Sequence, residues 1–147
     1  MQLSEHFALE ELQKTTWNFD NTAPPEAVEN LKTLCVNVLE PIRELLGCSL
    51  RITSGYRSQR VNRAVGGKSS PPSQHLSGQA ADFVPVGHDA VTQELQFEAI
   101  RQSEIPYDQL ILEFGWIHVS HSPDGHQRRQ ALVAYKDGGK ISYKAAL

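Results

Sequence analysis

The stretch SSPPSQHLSGQAADFVPV, residues 69–86, carries two chemically active side chains on either side of a glycine. Its serines and prolines predict a loop over Ser69–Ser73, and QAADFVP, a run of small and apolar residues, predicts a buried strand. His75 therefore lies where the loop meets the strand, and Asp82 lies within the strand. The question is whether these two side chains face one site or are an ordinary loop residue and an ordinary surface acid.

Outward from this stretch, the strongest pattern is a helix in FDNTAPPEAVENLKTLCVNVLEPIRELLG, residues 19–47. Its apolar residues recur at helical spacing, namely Val28, Leu31, Leu34, Cys35, Val38, Leu39, Ile42 and Leu46. Thr22 lies in a region suited to the helix cap, Pro41 predicts a kink and Gly47 ends the helix.

The other predicted helices are shorter. One covers Glu5–Gln13 with Ser4 as its cap, and a second covers His88–Gln102. The side chains expected to point inward from the second are Val91, Leu95, Phe97 and Ile100. A short helix also follows the turn in SGYRSQRVNRAV, residues 54–65.

Strands are predicted mainly in the second half of the chain. LRIT at Leu50–Thr53 comes first, and DQLILEF (108–114) and WIHVSH (116–121) are parted by Gly115. ALVAYKDGGKISYK (131–144) is a terminal hairpin that turns at DGG. Helices followed by hairpin-joined strands predict an α+β fold, with helices packed on a small antiparallel sheet.

Length and composition narrow the class of protein. The 147 residues predict a single domain, 1–147, and 39% hydrophobic residues suffice for a core. A net charge of −3 argues against nucleic acid or an anionic membrane surface as the partner, and a monomer is expected.

Two features suggest where the chain is made. The N-terminus lacks the pattern of a secretory signal, so the chain is expected to be made in the cytoplasm and to act elsewhere only after release. Cys35 is expected to be a buried thiol, and with Cys48 it fits a reducing compartment, although sequence alone does not decide whether the two pair.

Two of the six histidines stand out as candidate metal ligands. His75 has Asp82 on the strand that follows it, and His118 lies mid-strand between apolar neighbours, where a polar ring needs a partner. Two histidines and one carboxylate suit a catalytic zinc that keeps one position open for water, although the set also accepts other divalent ions.

Three motifs carry a family resemblance. SGYRS (54–58), SQHLSGQAADF (73–83) and WIHVS (116–120) resemble, in this order, the zinc D-Ala-D-Ala carboxypeptidases, the M15-type metallopeptidases of the cell wall. The resemblance runs from the Pro-Pro helix to the WIHVS strand. Within the M15 type it points to subfamily A and is strongest to the phage and prophage branch, which includes endolysins. It implies the fold shared by hedgehog domains and these peptidases.

The resemblance also implies roles for individual residues. His75, Asp82 and His118 match the ligands of one zinc ion. Gly78 permits a positive φ beside the first ligand. Arg57 matches the active-site arginine, which holds a substrate carboxylate or stabilises the oxyanion; the alternative is a structural ion pair.

The general base is where this sequence departs from the family. Many members carry Glu or Asp three positions before the last histidine, and this chain has Gly115 there. The nearest acid is Glu113, which a turn or bulge at Gly115 would bring towards the metal; otherwise Glu113 faces solvent. Asp108 is a more remote substitute.

Five further residues are candidate substrate contacts, each with a structural alternative. Ser73 and Gln74 either contact substrate or shape the loop. Tyr56 and Trp116 either line the cleft or belong to the core. His121 is a substrate contact, a hydrogen-bond donor to the ligands, or an ordinary surface histidine. The sequence favours the surface histidine.

Three functions remain open at this point. The first is a zinc peptidase that cuts peptidoglycan stem peptides, as a D,D-carboxypeptidase or as an endopeptidase. The second is a zinc-stabilised wall-binding or structural module without turnover. The third is a phage virion or tail component with the same chemistry. Peptidoglycan stem peptides are the expected partner, and the expected place of action is the cell wall, after lysis or as part of a phage particle.

Overall fold

The computed structural model describes residues 1–87 and 90–147, and the side chains of all of these except 90 and 91. In these ranges the helices are α1 (Leu9–Leu12), α2 (Pro25–Leu34), α3 (Glu40–Leu46), α4 (Gln59–Ala64) and α5 (Ala90–Gln102). The strands are β1 (Leu50–Ser54), β2 (Ala80–Pro85), β3 (Gln109–Leu112), β4 (Ile117–Ser120), β5 (Gln130–Asp137) and β6 (Lys140–Ala145). None of the described helices is long and apolar enough to cross a membrane.

The six strands form one sheet in the order β1-β2-β4-β3-β5-β6, and the predicted α+β class is confirmed. Neighbouring strands are antiparallel except for β3 and β5, which are parallel. Both edges of β4 are occupied by β2 and β3, so β5 joins the open edge of β3. Asp108 anchors it there, because its carboxylate accepts the N–H of Arg128 at 2.7 Å and its carbonyl accepts the N–H of Gln130 at 3.0 Å.

Alternate residues of the central strands divide the sheet into two faces. One face packs against α2, α3 and α5 in the hydrophobic core and includes Ala81, Phe83, Leu110, Ile117 and Val119. On the opposite face, register partners form rows across the sheet. Asp82 lies beside His118, His118 beside Ile111, and Ile111 beside Leu132. This second face is therefore free to carry a site.

The long helix predicted over residues 19–47 is present with an irregular centre. A π-helical segment, Cys35–Leu39, joins α2 to α3 directly before Pro41, where the sequence predicts a kink. Proline supplies no N–H to the helix and crowds the preceding turn, which favours such an irregularity. Gly47 ends α3 with a φ of 68°, as predicted. Thr22 is not the cap, since α2 begins after Pro24.

The first helix is shorter than the predicted Glu5–Gln13. Leu3 and Phe7 are both buried, and the N–H of Leu3 donates to the carbonyl of Phe7 at 2.9 Å, so this segment turns back on itself before α1. Ser4 caps no helix; its hydroxyl donates to Glu40 Oε2 at 2.6 Å. Burial of two apolar side chains in the turn outweighs the helical pattern.

The predicted inward face of helix α5 is confirmed in part. Phe97 and Ile100 are buried, whereas Leu95 is 69% exposed, so its predicted inward position is wrong. Leu95 lies two residues, about 200°, from Phe97 around the helix, which places it on the opposite side. The predicted start at His88 and the side chain of Val91 lie outside the described residues.

The 3-10 turn Gln74–Ser77 leads into β2 and carries His75. Ser73 caps this turn, because its hydroxyl accepts the N–H of His75 at 3.2 Å. Gly78 ends it with the predicted positive φ, here 74°, and a β-carbon at this position would lie 2.5 Å from the carbonyl oxygen of Ala27. The turn therefore packs closely against the start of α2.

Gly78→Ala is expected to lower the free energy of unfolding by about 3 kcal/mol, through the left-handed backbone and the clash with Ala27 together. Gly66→Ala is the matched control, since Gly66 has a φ of 77° and open space around its β-carbon. This control should cost about 1 kcal/mol from the backbone alone. Urea unfolding of both variants measures the difference, and equal losses would contradict the role of the clash.

Candidate metal centre

Three side chains converge on the open face of the sheet. Asp82 and His118 are register partners on β2 and β4, and His75 comes from the 3-10 turn that precedes β2. His118 Nδ1 lies 2.9 Å from Asp82 Oδ1, and His75 Nε2 lies 3.4 Å from the same oxygen. One ligand atom from each residue lies within 4.8 Å of the other two. The structure thus brings together the three residues predicted as metal ligands.

A hydrogen bond to the backbone fixes the orientation of the His75 ring. Its Nδ1 donates to the carbonyl oxygen of Gly55 at 2.7 Å, so Nε2 turns towards Asp82. Gly55 is fixed in turn, because the N–H of Tyr56 donates to the carbonyl of Leu12 at 2.6 Å and a β-carbon at position 55 would overlap the Leu12 backbone. This hydrogen bond selects the tautomer with an unprotonated Nε2, which is the form that binds a metal.

The surroundings favour an ionised Asp82 and a neutral His75. Burial alone would raise the pKa of Asp82, but the charges and hydrogen bonds of His75 and His118 hold that pKa below its ordinary value. Burial lowers the pKa of His75, against the opposing effect of Asp82. A carboxylate and neutral imidazoles are the protonation states that ligate metals, so this donor set fits a divalent transition metal.

Arg57 lies beside the three candidate ligands and is held on three sides. Its Nη2 donates to Asp82 Oδ2 at 3.3 Å, its Nε to Ser54 Oγ at 3.0 Å and its Nη1 to Asn62 Oδ1 at 3.4 Å. Burial lowers the pKa of Arg57, and Asp82 opposes this shift. The ion pair considered as the structural alternative is therefore present, and Arg57 also lines the cleft over the candidate ligands.

Glu113 follows β3 and lines the same cleft as His118, rather than facing away into solvent. Gly115, with a φ of 96°, turns the chain between β3 and β4, and the N–H of Glu113 donates to the carbonyl of Trp116 at 3.0 Å. Burial raises the pKa of Glu113, while the neighbouring His118 and a hydrogen bond from Tyr143 lower it. A carboxylate with a raised pKa beside a metal site is suited to accept a proton.

The cleft that contains these residues has a volume of about 550 Å³. Its floor is the row of sheet side chains, and its walls include Lys68, Arg128 and Trp116. This volume is in the range of small-molecule and peptide-fragment sites. Lys68 adds positive charge at the walls, whereas the charge of Arg128 is paired with Asp108.

Three predicted substrate contacts line this cleft. Ser73 and Gln74 lie in its wall, although both also have structural bonds: Ser73 caps the 3-10 turn, and Gln74 Nε2 donates to Asp108 Oδ2 at 3.0 Å. Trp116 shares the face of His118, as its alternation with Ile117 predicts, and borders the cleft.

The other two predicted contacts lie elsewhere. Tyr56 is 8% exposed and belongs to the hydrophobic core, which is the structural alternative for this residue. His121 is 7% exposed, so the prediction that it is a surface histidine is wrong. Its N–H donates to the carbonyl of Gln79 at 2.9 Å, and burial lowers the pKa of its ring.

Asp108, the remote substitute for the base, is committed to other partners. Arg128 donates to it from Nε at 3.1 Å and from Nη2 at 2.8 Å, and Gln74 donates to the same oxygen. Burial alone would raise the pKa of Asp108, but the hydrogen bonds from Arg128 and Gln74 lower it. A carboxylate bound in this way ties β5 to the turn before β2 and is poorly suited to accept a proton.

The model of the family described as Peptidase M15 matches residues 5–120, well over half of the chain. The chain belongs to the Peptidase M15 family. Membership supports a peptidase of the metallopeptidase type. A comparison with curated proteins gave no significant match.

The Peptidase M15 match contains all three candidate ligands, Arg57 and Glu113, and it ends with β4. Strands β5 and β6 lie beyond it, yet Leu132 and Tyr143 from these strands line the cleft. Neither Tyr143 nor Asn62 is predicted from the sequence as part of the site. Nothing in the spacing of the motifs signals either residue, since each reaches the site through a contact that the motifs do not include.

Proposed function

We propose that this chain is a zinc metallopeptidase that hydrolyses peptide bonds in peptidoglycan stem peptides. The observation that carries the proposal is the convergence of two histidines and one aspartate beside Glu113 and Arg57, in a cleft of a Peptidase M15 chain. His75, Asp82 and His118 would hold the ion. Zinc bound by such a set polarises a peptide carbonyl and makes water a nucleophile near neutral pH.

Glu113 is the proposed general base. Its carboxylate takes the proton of the attacking water and passes it to the leaving amine. Its raised pKa makes this transfer better matched to a pH near neutral than an ordinary, solvent-exposed glutamate would allow.

Arg57 is proposed to stabilise negative charge on the substrate. Ser54 and Asn62 fix its guanidinium, so its direction is set before substrate binds. A preorganised cation of this kind acts either on a terminal carboxylate or on the oxyanion that forms when the carbonyl is attacked.

A stem peptide is the substrate class that suits the cleft walls. Such peptides carry carboxylates. Lys68 offers positive charge in the wall of the cleft, and the side chain of Arg128 remains 55% exposed while it is paired with Asp108. A carboxypeptidase would use this charge for the terminal carboxylate of D-Ala, and an endopeptidase would use it for side-chain carboxylates along the groove. The products of digestion distinguish the two.

Digestion of purified peptidoglycan with metal-loaded and chelator-stripped protein tests the proposal. We expect metal-dependent products, read by mass spectrometry: loss of a terminal Ala for a carboxypeptidase, or stem fragments for an endopeptidase. Readdition of zinc should restore at least about half of the activity, because a folded chain with a preformed site rebinds its ion. If folded, metal-loaded protein yields no product, the wall-hydrolase proposal is wrong, and the alternative of a wall-binding or structural module without turnover is favoured.

A further inference from the structure

The register of the sheet brings a side chain of the C-terminal hairpin next to Glu113. Leu112 of β3 is the partner of Val133 on β5, so Glu113 is level with Ala134. Ala134 is in turn the partner of Tyr143 on β6. Side chains of register partners point to the same face of a sheet, so Glu113, Ala134 and Tyr143 share the face of the cleft.

The small side chain in the middle of this row allows the outer two to meet. Ala134 is buried, and the phenol of Tyr143 extends past it towards Glu113. The hydroxyl of Tyr143 donates to Glu113 Oε1 at 3.2 Å. The contact joins residues 30 apart in sequence, and one of them lies outside the segment that matches the Peptidase M15 family.

We infer that Tyr143 is a positioning residue for the general base, which makes the β5–β6 hairpin part of the catalytic unit. The inference rests on the proposed function of Glu113. The phenol donates to Oε1 and restricts the rotation of the carboxylate, although Tyr143 is 46% exposed, and the second oxygen of Glu113 is the one left for a proton. A carboxylate on an unbranched side chain would otherwise sample several rotamers, few of which point at the reacting water.

The groups that face Glu113 oppose one another in their effect on its pKa. Burial and Asp82 on β2 raise the pKa of Glu113, whereas His118 on β4 and the phenol of Tyr143 on β6 lower it. A hydrogen bond to the ionised carboxylate favours the form that accepts a proton. Loss of the phenol hydroxyl should therefore both loosen the carboxylate and raise its pKa.

Tyr143→Phe in the metal-loaded protein tests the inference, with Tyr135→Phe as the matched control. Tyr135 lies on the same hairpin but one residue from Ala134, so it points to the other face of the sheet. In Tyr143→Phe we expect kcat on a stem-peptide substrate to fall about tenfold with KM within about twofold, as for loss of one charge-assisted hydrogen bond. Tyr135→Phe should stay within about twofold of the wild type in both constants.

A second measurement separates this inference from the proposed function. Carboxyl ¹³C NMR titration, with Glu113 assigned by Glu113→Gln, should show the midpoint of Glu113 about half a pH unit or more higher in Tyr143→Phe than in Tyr135→Phe. Equal midpoints, or equal kcat values in the two variants, would overturn the inference. If wild-type protein cleaves nothing, the proposed function fails, while the titration still decides whether Tyr143 controls the carboxylate.

Discussion

His118→Ala is expected to abolish both metal binding and peptidase activity. His118 supplies one of three convergent ligand atoms, and its ring lies 2.9 Å from Asp82 Oδ1. The metal contributes several kcal/mol to the stabilisation of the transition state, and each factor of ten in rate corresponds to about 1.4 kcal/mol, so we expect a loss of at least about 10³-fold. Metal content by mass spectrometry and release of peptide products measure the two effects on the same preparation.

His126→Ala is the control for this variant. His126 is exposed and is not one of the three candidate ligands. It should keep the metal content and activity of the wild type. Full metal occupancy in folded His118→Ala would show that the ion binds elsewhere. We expect His118→Ala to stay folded, because Asp82 retains Arg57 and His75 as partners. Urea unfolding checks this.

Glu113→Gln is expected to lower kcat by about 10²- to 10⁴-fold while the metal stays bound, because general-base catalysis contributes that much and Glu113 is not a candidate ligand. Glutamine keeps the shape of the side chain and the bond with Tyr143, but it accepts no proton. In the wild type, kcat/KM should fall as pH decreases through the pKa of Glu113, which burial raises above that of an ordinary glutamate. Residual activity in Glu113→Gln should lack this acidic limb.

Asp108→Asn is the matched comparison among the carboxylates near the cleft. Its hydrogen bonds with Arg128 and Gln74 give it a structural task, so we expect a loss of less than about tenfold in kcat. The opposite ranking, with Asp108→Asn inactive and Glu113→Gln active, would transfer the role of base to Asp108.

The candidate centre could be predicted from sequence because its residues lie within short, spaced motifs. His75 and Asp82 lie on one turn and the strand that follows it, and Gly78 between them has the positive φ that the motif predicts. The helix that ends at Gly47 could also be predicted, since its apolar residues keep one period over several turns.

The features that sequence did not predict depend on contacts between distant segments. The start of the chain has a helical pattern, but burial of Leu3 and Phe7 turns it away from a helix. The parallel pairing of β3 with β5 depends on Asp108, whose hydrogen bonds hold Arg128, 20 residues further along the chain, and Gln130 at the start of β5. Tyr143 enters the site only through that pairing.

The alternation of core and cleft residues along β2 and β4 has a consequence for how this chain can diverge. Asp82 and His118 face the cleft because each lies between two residues that face the core. One residue inserted or deleted within either strand would turn its ligand into the core and apolar side chains into the cleft. Insertions and deletions should therefore be excluded from these two strands, which can change by substitution alone.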